Sequence, residues 1–189
     1  MDTTLIAAMV AASVSVTGWA VNHVLTQRAE RHRQKHQTQL AHIESQLERL
    51  YGPLFFLLHE GTSSFRDFCA TLGRHHVFAE GSEISPEDLE AWLFWVDNDF
   101  MPRNTAIQEL LASNAHLIEG SRMPDSYIRF IDHHNSWRVS HLRWKEEGVP
   151  YIWRAKQNWP VSFERDVIST YEELKKRQAE LSGILTGGR

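Results

Sequence analysis

The sequence has little cysteine, little proline and no excess of positive charge. One cysteine among 189 residues excludes an internal disulfide framework. A formal net charge of −4 excludes a globally basic nucleic-acid-binding protein. Apolar residues make up 42% of the chain, too many for a wholly disordered protein. The length is that of about one globular domain.

Asp, Glu, Lys and Arg are also absent from a run of 25 residues, 3–27. The most apolar part of this run is residues 5–21. Because a bilayer requires roughly 20 predominantly apolar helical residues, the run predicts a transmembrane helix. A cleaved signal peptide and a buried soluble helix are the alternatives. A signal peptide would carry basic residues before the apolar run, where only Asp2 stands.

Basic residues follow the apolar run instead of preceding it. By the positive-inside rule, this distribution places the amino terminus outside and the carboxyl-terminal part in the cytoplasm. The single Cys69 suits a reducing cytoplasm. We therefore predict a single-pass protein of the inner (cytoplasmic) membrane, with the lipid bilayer as its first partner. The basic residues are Arg28, Arg31, Arg33 and Lys35, against one Glu30.

Two patterns are compatible with self-association. A stripe of small residues recurs every four positions in the apolar run and permits close helix–helix contact, although alanine is also simply common in weakly apolar spans. A heptad-like seam follows, but it is short for a coiled coil. Packing of the seam on the protein's own bundle is the preferred interpretation, and self-association is the alternative. The stripe contains Ala7, Ala11 and Ser15, and the seam contains Leu40, Ile43, Leu47 and Leu50.

Helix signals dominate the rest of the chain and predict an all-α fold. Residues 1–27 form the anchor, residues 28–52 a juxtamembrane helix continuous with it, and residues 53–189 a cytoplasmic bundle of about five helices. Proline and glycine are expected to divide these helices. A kink or restart is expected at Gly52-Pro53, a break at Met101-Pro102, helix starts at Ser85, Pro124 and Pro160, and helix ends at Gly73 and Gly148.

The chain contains eleven histidines, so a metal site has to be considered. No histidine has an acidic residue three positions before it, and no zinc-binding spacing is present. His134 and His141 share one helix face, but that face is expected to be buried, where a histidine is usually a hydrogen-bonded core residue. They are weak metal candidates. We predict no metal site, no cofactor and no catalytic residue.

Aromatic and basic residues alternate near the end of the long helix and in the segment after it. Such residues are enriched where protein partners dock. Packing in the core and contact with a membrane surface are the alternatives. Nucleic acid is an improbable partner, because residues 53–189 carry 15 Lys and Arg against 20 Asp and Glu. The candidates for partner binding are Trp137, Arg138, Trp144, Trp153 and Arg154.

Residues 46–58, QLERLYGPLFFLL, resemble bacterial single-pass membrane proteins of uncharacterised function, in which a helix leads into a Leu-Tyr-Gly-Pro-Leu turn. Residues 99–104, DFMPRN, and residues 141–144, HLRW, fit the same kind of protein. The resemblance implies a bacterial, membrane-bound setting. It implies no activity and no catalytic residue.

These observations favour a membrane-anchored accessory, scaffold or interaction subunit at the cytoplasmic face of a bacterial membrane. Its partner would be another protein or a second copy of the chain. The alternative is a helical domain that binds a metal, a cofactor or a small ligand through its histidine face, with enzymes among the members of that class. The sequence leaves the question of enzymatic activity open and favours a non-catalytic role.

Overall fold

The computed structural model describes residues 3–73, 85–151 and 158–187, with side chains from residue 18 onward. All regular elements in these ranges are helical, which confirms the all-α prediction. The elements are α1 Thr3–Gln46, a first π-helical turn Leu47–Tyr51, α2 Gly52–Thr71, α3 Pro86–Trp95, a second π-helical turn Val96–Phe100, α4 Met101–Ser113, a 3₁₀ turn Ala115–Leu117, α5 Asp125–Glu147 and α6 Val161–Thr186.

The chain divides into two compact units. The terminal unit contains residues 1–43 and 177–189, and the bundle unit contains residues 44–176. The side chains that could take part in chemistry and that are described below belong to the bundle unit.

Within the described residues, no helix is long and apolar enough to cross a membrane. The predicted transmembrane helix therefore receives no support from the structure. Most of its apolar run, and the side chains of the predicted stripe Ala7, Ala11 and Ser15, lie outside the part of the chain whose side chains are described.

Several predicted helix ends are confirmed by the geometry of their caps. Ser85 is the N-cap of α3, and its hydroxyl accepts a hydrogen bond from the Asp88 N–H at 3.1 Å. Pro124 precedes α5, and Gly148 ends that helix with a φ of 66°, a conformation that glycine adopts without a Cβ clash. The last helix begins at Val161, directly after Pro160.

The predicted break at Met101-Pro102 is wrong. At Gly52-Pro53, where a kink or restart is predicted, α2 begins at Gly52 directly after a π-helical turn. A π-helical turn precedes each proline and the helix continues through it. In each case the residue before proline donates its N–H to the carbonyl five residues back, Gly52 to Leu47 and Met101 to Val96. The wider turn relieves the clash that a proline ring makes with the preceding turn of an α-helix. The described helices consequently form four continuous segments, because α3 and α4 are one segment and α2 follows α1 without a break.

Aromatic side chains fill the core of the bundle unit. One cluster joins α2, α3, the second π-turn and α5 through Phe68, Trp92, Phe100 and Trp137. Trp92 and Trp137 stack with their ring centroids 5.9 Å apart. Cys69 lies in the same cluster, and burial raises the pKa of its thiol, so it is a packing residue and not an activated nucleophile.

A second aromatic group joins α5 to α6. Phe130 stacks on Phe163 at a centroid distance of 4.6 Å, and Tyr127 meets Phe163 edge-on at 5.0 Å. Trp159, just before α6, contacts Phe130 edge-on at 5.8 Å. These contacts fix the start of α6 against α5.

The predicted seam lies largely inside the fold. Leu47, Leu50 and Ile43 are buried and Leu40 is half-buried. Leu47 and Leu50 belong to the bundle unit, and they are buried within a single copy of the chain.

Candidate functional site

An acid–base pair joins the second π-turn to α5. His141 Nε2 lies 2.9 Å from Asp97 Oδ1, and Lys145 Nζ donates to the same oxygen at 3.3 Å. Burial alone would raise the pKa of Asp97, but the hydrogen bonds and the positive charge of His141 and Lys145 outweigh it and lower that pKa. Asp97 is therefore held in its charged form.

Aromatic rings enclose His141. Its ring contacts Trp144 at a centroid distance of 5.3 Å and meets Tyr151 edge-on at 5.9 Å. The Tyr151 hydroxyl accepts a hydrogen bond from Trp92 Nε1 at 3.1 Å. Burial raises the pKa of Tyr151, with Asp97 adding to the effect, so the phenol keeps its proton.

This enclosure limits what the pair can do chemically. The His141 side chain is only 6% exposed, and one of its nitrogens is bound to Asp97. The other nitrogen, Nδ1, is buried and has no hydrogen-bond partner among the described residues. A general base needs an open path to the proton that it removes. The arrangement therefore fits an internal tie between the second π-turn and α5 better than a catalytic dyad.

His134 has a different environment, although it shares the buried face of α5. Its side chain is fully buried, its ring lies parallel to that of Phe130, and neither ring nitrogen has a hydrogen-bond partner among the described residues. Burial, with smaller contributions from the charges of Arg138 and His133, lowers the pKa of His134 from 6.5 to about 4. His134 is therefore a neutral core residue at neutral pH.

The shared buried face of His134 and His141 was predicted correctly. The geometry does not support His134 and His141 as metal ligands. In the described ranges, no group of three or more His, Cys, Asp and Glu side chains could hold a metal ion. A structural metal site normally needs four such ligands.

Three of the five predicted partner-binding residues lie in the part of the chain that the structure describes, and they differ in exposure. Trp137 is buried in the aromatic cluster, which corresponds to the core alternative. Trp144 is half-buried beside His141, and Arg138 is exposed. Trp153 and Arg154 lie outside the described residues.

A buried polar network near the first π-turn was missed by sequence reasoning. Gln46 Nε2 donates to the Leu117 carbonyl and to Glu119 Oε2, each at 2.9 Å. The Glu119 N–H donates to the Tyr51 hydroxyl at 2.9 Å, and Tyr51 is also hydrogen-bonded to Tyr127. Burial raises the pKa of both tyrosines, so both remain neutral. Residues about 70 positions apart meet here, and no local pattern predicts such a meeting.

An apolar face of α5 is exposed on the bundle unit. Ile128, Val139 and Leu142 are each at least one-third exposed, although all three are large apolar residues. At 100° per residue, positions 11 and 14 apart fall on the same side of a helix. The three side chains therefore lie on one side of α5, with the polar Asp132 and Asn135 between Ile128 and Val139, and this side is not the buried one.

In the terminal unit, α1 also exposes apolar side chains. Trp19 is 68% exposed, and Val21, Val24 and Leu25 are exposed as well. Arg28, Arg31, Arg33 and Lys35 follow within three turns, and all four are exposed. A group of large exposed apolar residues is uncommon on a soluble monomer, and it usually marks a surface that a membrane, a ligand or another protein covers.

In comparisons with protein-family models, with curated proteins and with solved structures, nothing matches this chain. Any proposal for the function of this chain is therefore argued from its own residues and geometry.

Proposed function

We propose that the protein is a membrane-anchored, non-catalytic interaction protein that holds a protein partner at the cytoplasmic face of a bacterial membrane. The observation that carries this proposal is the group of exposed apolar side chains on α1, directly followed by exposed basic ones. An apolar helix that ends in a basic segment suits a bilayer, whose core accepts the apolar part and whose headgroups accept the charges.

The proposed anchor consists of the exposed apolar residues of α1 and the apolar sequence that precedes them. Residues 3–27 contain no Asp, Glu, Lys or Arg, and their length matches the roughly 20 residues that span a bilayer. Trp19 stands near the end of the run, at the level where aromatic side chains favour the interface. The amino terminus would then be outside and the bundle unit in the cytoplasm.

Two observations support a role in binding over a role in catalysis. In the acid–base pair Asp97–His141, aromatic neighbours enclose the His141 ring, which is only 6% exposed, and the pair ties two elements together. The exposed stripe Ile128, Val139 and Leu142 offers apolar area of the kind that protein partners cover. The partner class is a protein with a complementary apolar face, or a second copy of this chain.

Membrane fractionation of cells that make the full chain tests the anchor. We expect the protein to stay in the membrane pellet after an alkaline carbonate wash. The variant Val10→Arg with Val14→Arg should move to the soluble fraction, because each arginine at the centre of a span costs roughly 2.5–3.5 kcal/mol.

The matched control has the same two changes elsewhere, Val161→Arg with Ile184→Arg. These α6 side chains are 72% and 57% exposed, so the control should fold and stay in the pellet. Recovery of the unaltered protein in the soluble fraction would contradict the proposal. Equal behaviour of the two variants would show that the apolar run is not what holds the protein in the pellet.

A further inference from the structure

The basic residues of α1 are not distributed evenly around the helix. At 100° per residue, Arg28, Arg31 and Lys35 fall within an arc of about 60°. Arg33 points about 140° away from Arg28 in the same projection, and Glu30 lies on the opposite side from the arc. The helix therefore presents one cationic stripe, which we define as Arg28, Arg31 and Lys35.

The stripe is available for binding. All three side chains are exposed, and none of them forms an ion pair or a side-chain hydrogen bond within the described residues. Glu30 is the only acidic residue between Asp2 and Glu44, so little negative charge on this helix competes with an outside anion. Three adjacent cations without partners attract a surface that carries many negative charges.

The position of the stripe along the helix indicates the source of those charges. Leu25 is the last of the exposed apolar residues, and Arg28 follows about 4.5 Å further along the axis. Lys35 lies about 10 Å beyond Arg28. This length is comparable with the Debye length of 8–10 Å at physiological ionic strength, over which a charged surface acts.

We propose that the stripe Arg28, Arg31 and Lys35 binds the anionic headgroups of phospholipids and turns one defined side of α1 toward the membrane surface. This inference rests on the proposed function, because it requires the apolar residues before the stripe to be in the bilayer. It adds the lipid class and the orientation of the helix. A helix that stood upright without a preferred side would use Arg33 as much as Arg31, since the two lie at nearly the same depth.

The test uses the purified full chain reconstituted into phosphatidylcholine vesicles with a minor share of phosphatidylglycerol. Spin-labelled phosphatidylglycerol and spin-labelled phosphatidylcholine report the ratio of the two lipids' association constants with the protein. We expect a ratio clearly above one at low salt that falls toward one in high salt, because salt screens the attraction.

Arg31→Gln and Arg33→Gln form a matched pair, with the same residue type, the same charge change and nearly the same depth. A basic side chain close to an anionic surface contributes up to about fivefold in association. Arg31→Gln should therefore lower the ratio by up to about fivefold, and Arg33→Gln by less than twofold. Arg66→Gln, on an exposed arginine of the bundle unit, should leave the ratio unchanged.

The outcomes separate this inference from the proposed function. Loss of the protein from the vesicles in an alkaline wash would overturn the anchor itself. Retention with a lipid ratio near one would leave the anchor in place and overturn the anionic-lipid site. A high ratio that Arg31→Gln and Arg33→Gln lower equally would overturn the one-sided stripe.

Discussion

The buried imidazole of His134 makes the stability of the fold depend on pH. The folded state lowers the pKa of His134 from 6.5 to about 4, so the unfolded chain binds a proton more readily. Stability is therefore highest above pH 6.5 and falls as the pH decreases toward 4. From the two pKa values, the free energy of unfolding should be roughly 2 kcal/mol lower at pH 5 than at pH 8. Urea titrations at the two pH values measure this difference.

The variant His134→Leu isolates the contribution of this residue. Neither nitrogen of His134 has a partner among the described residues, so an apolar side chain loses no hydrogen bond there. The variant should be at least as stable as the parent at pH 5 and should lose most of the difference between pH 5 and pH 8. His116→Gln, which changes an exposed histidine, should keep that difference. If His134→Leu retains the full pH dependence, another group causes it.

The two side chains that bind Asp97 should differ in their energetic coupling to it. His141 is 6% exposed and 2.9 Å from the carboxylate, whereas Lys145 is 57% exposed and 3.3 Å away. Because water and salt screen exposed pairs, a double-mutant cycle for Asp97 and Lys145 should give about 0–0.5 kcal/mol. The cycle for Asp97 and His141 should give about 1 kcal/mol or more. Equal coupling energies would contradict the difference that burial predicts.

At the residue scale, the sequence predicted which helix face a side chain lies on better than it predicted that side chain's hydrogen-bond partner. The spacing of His134 and His141 placed both on the buried side of α5, because helical periodicity is a local property. The pairing of His141 with Asp97 could not be predicted, since 44 residues separate them. The second π-turn places the Asp97 carboxylate against α5, where it meets His141.

At the scale of elements, the first π-turn depends on Gly52. A Cβ atom at this position would lie 2.6 Å from the carbonyl oxygen of Leu47, the atom that accepts the Gly52 N–H. Gly52→Ala should therefore lower the free energy of unfolding, by about 1–3 kcal/mol as in other overpacked sites. Thermal or urea unfolding of the purified variant measures the loss.

Gly183→Ala in α6 is the control for helix propensity. A Cβ atom there meets nothing within 4 Å. Alanine should thus stabilise that helix by up to about 1 kcal/mol, since glycine is the poorer helix former. Opposite signs for the two alanine variants would locate the cost in the close approach at Leu47. A stabilised Gly52→Ala variant would contradict this prediction, because it would show that the π-turn accommodates the added Cβ atom without loss of stability.

The helices themselves were largely predictable, and the π-turns were not. Ser85, Pro124 and Gly148 satisfy or end the backbone hydrogen bonds of a helix locally, so their residue types alone indicate where α3 and α5 begin or end. Pro102 carries the local signal of a helix break, and Pro53 that of a kink or restart. A wider turn before each proline keeps the chain helical there, and it is supported by packing of Leu50, Tyr51 and Phe100 in the core. Packing of this kind depends on residues far away in the sequence.

At the scale of the whole molecule, the two units expose different chemistry. The terminal unit exposes a group of apolar residues followed by the cationic stripe, a sequence of properties that matches a membrane surface. The bundle unit exposes the three apolar side chains of α5, and exposed Arg138 and Arg143 stand next to Val139 and Leu142. Apolar side chains beside arginine are the composition that protein partners cover, so the α5 stripe suits a protein partner.

If the α5 stripe is a docking surface, its contacts in the cell should be specific to that face. A photo-reactive amino acid at Val139 should crosslink to one defined protein in intact cells, because apolar interfaces exclude water at their centre. The same amino acid at Glu172, an exposed polar position of α6, should give little or no product.

A substitution in the α5 stripe tests the same surface. Val139 and Leu142 are substantially exposed, so Leu142→Asp should weaken the Val139 crosslink and change the stability of the purified protein by less than about 0.5 kcal/mol. A product at twice 21.9 kDa would identify a second copy of the chain as the occupant, and a product of another mass a different partner. Equal labelling from Val139 and Glu172 would mean that this face is not where the protein binds.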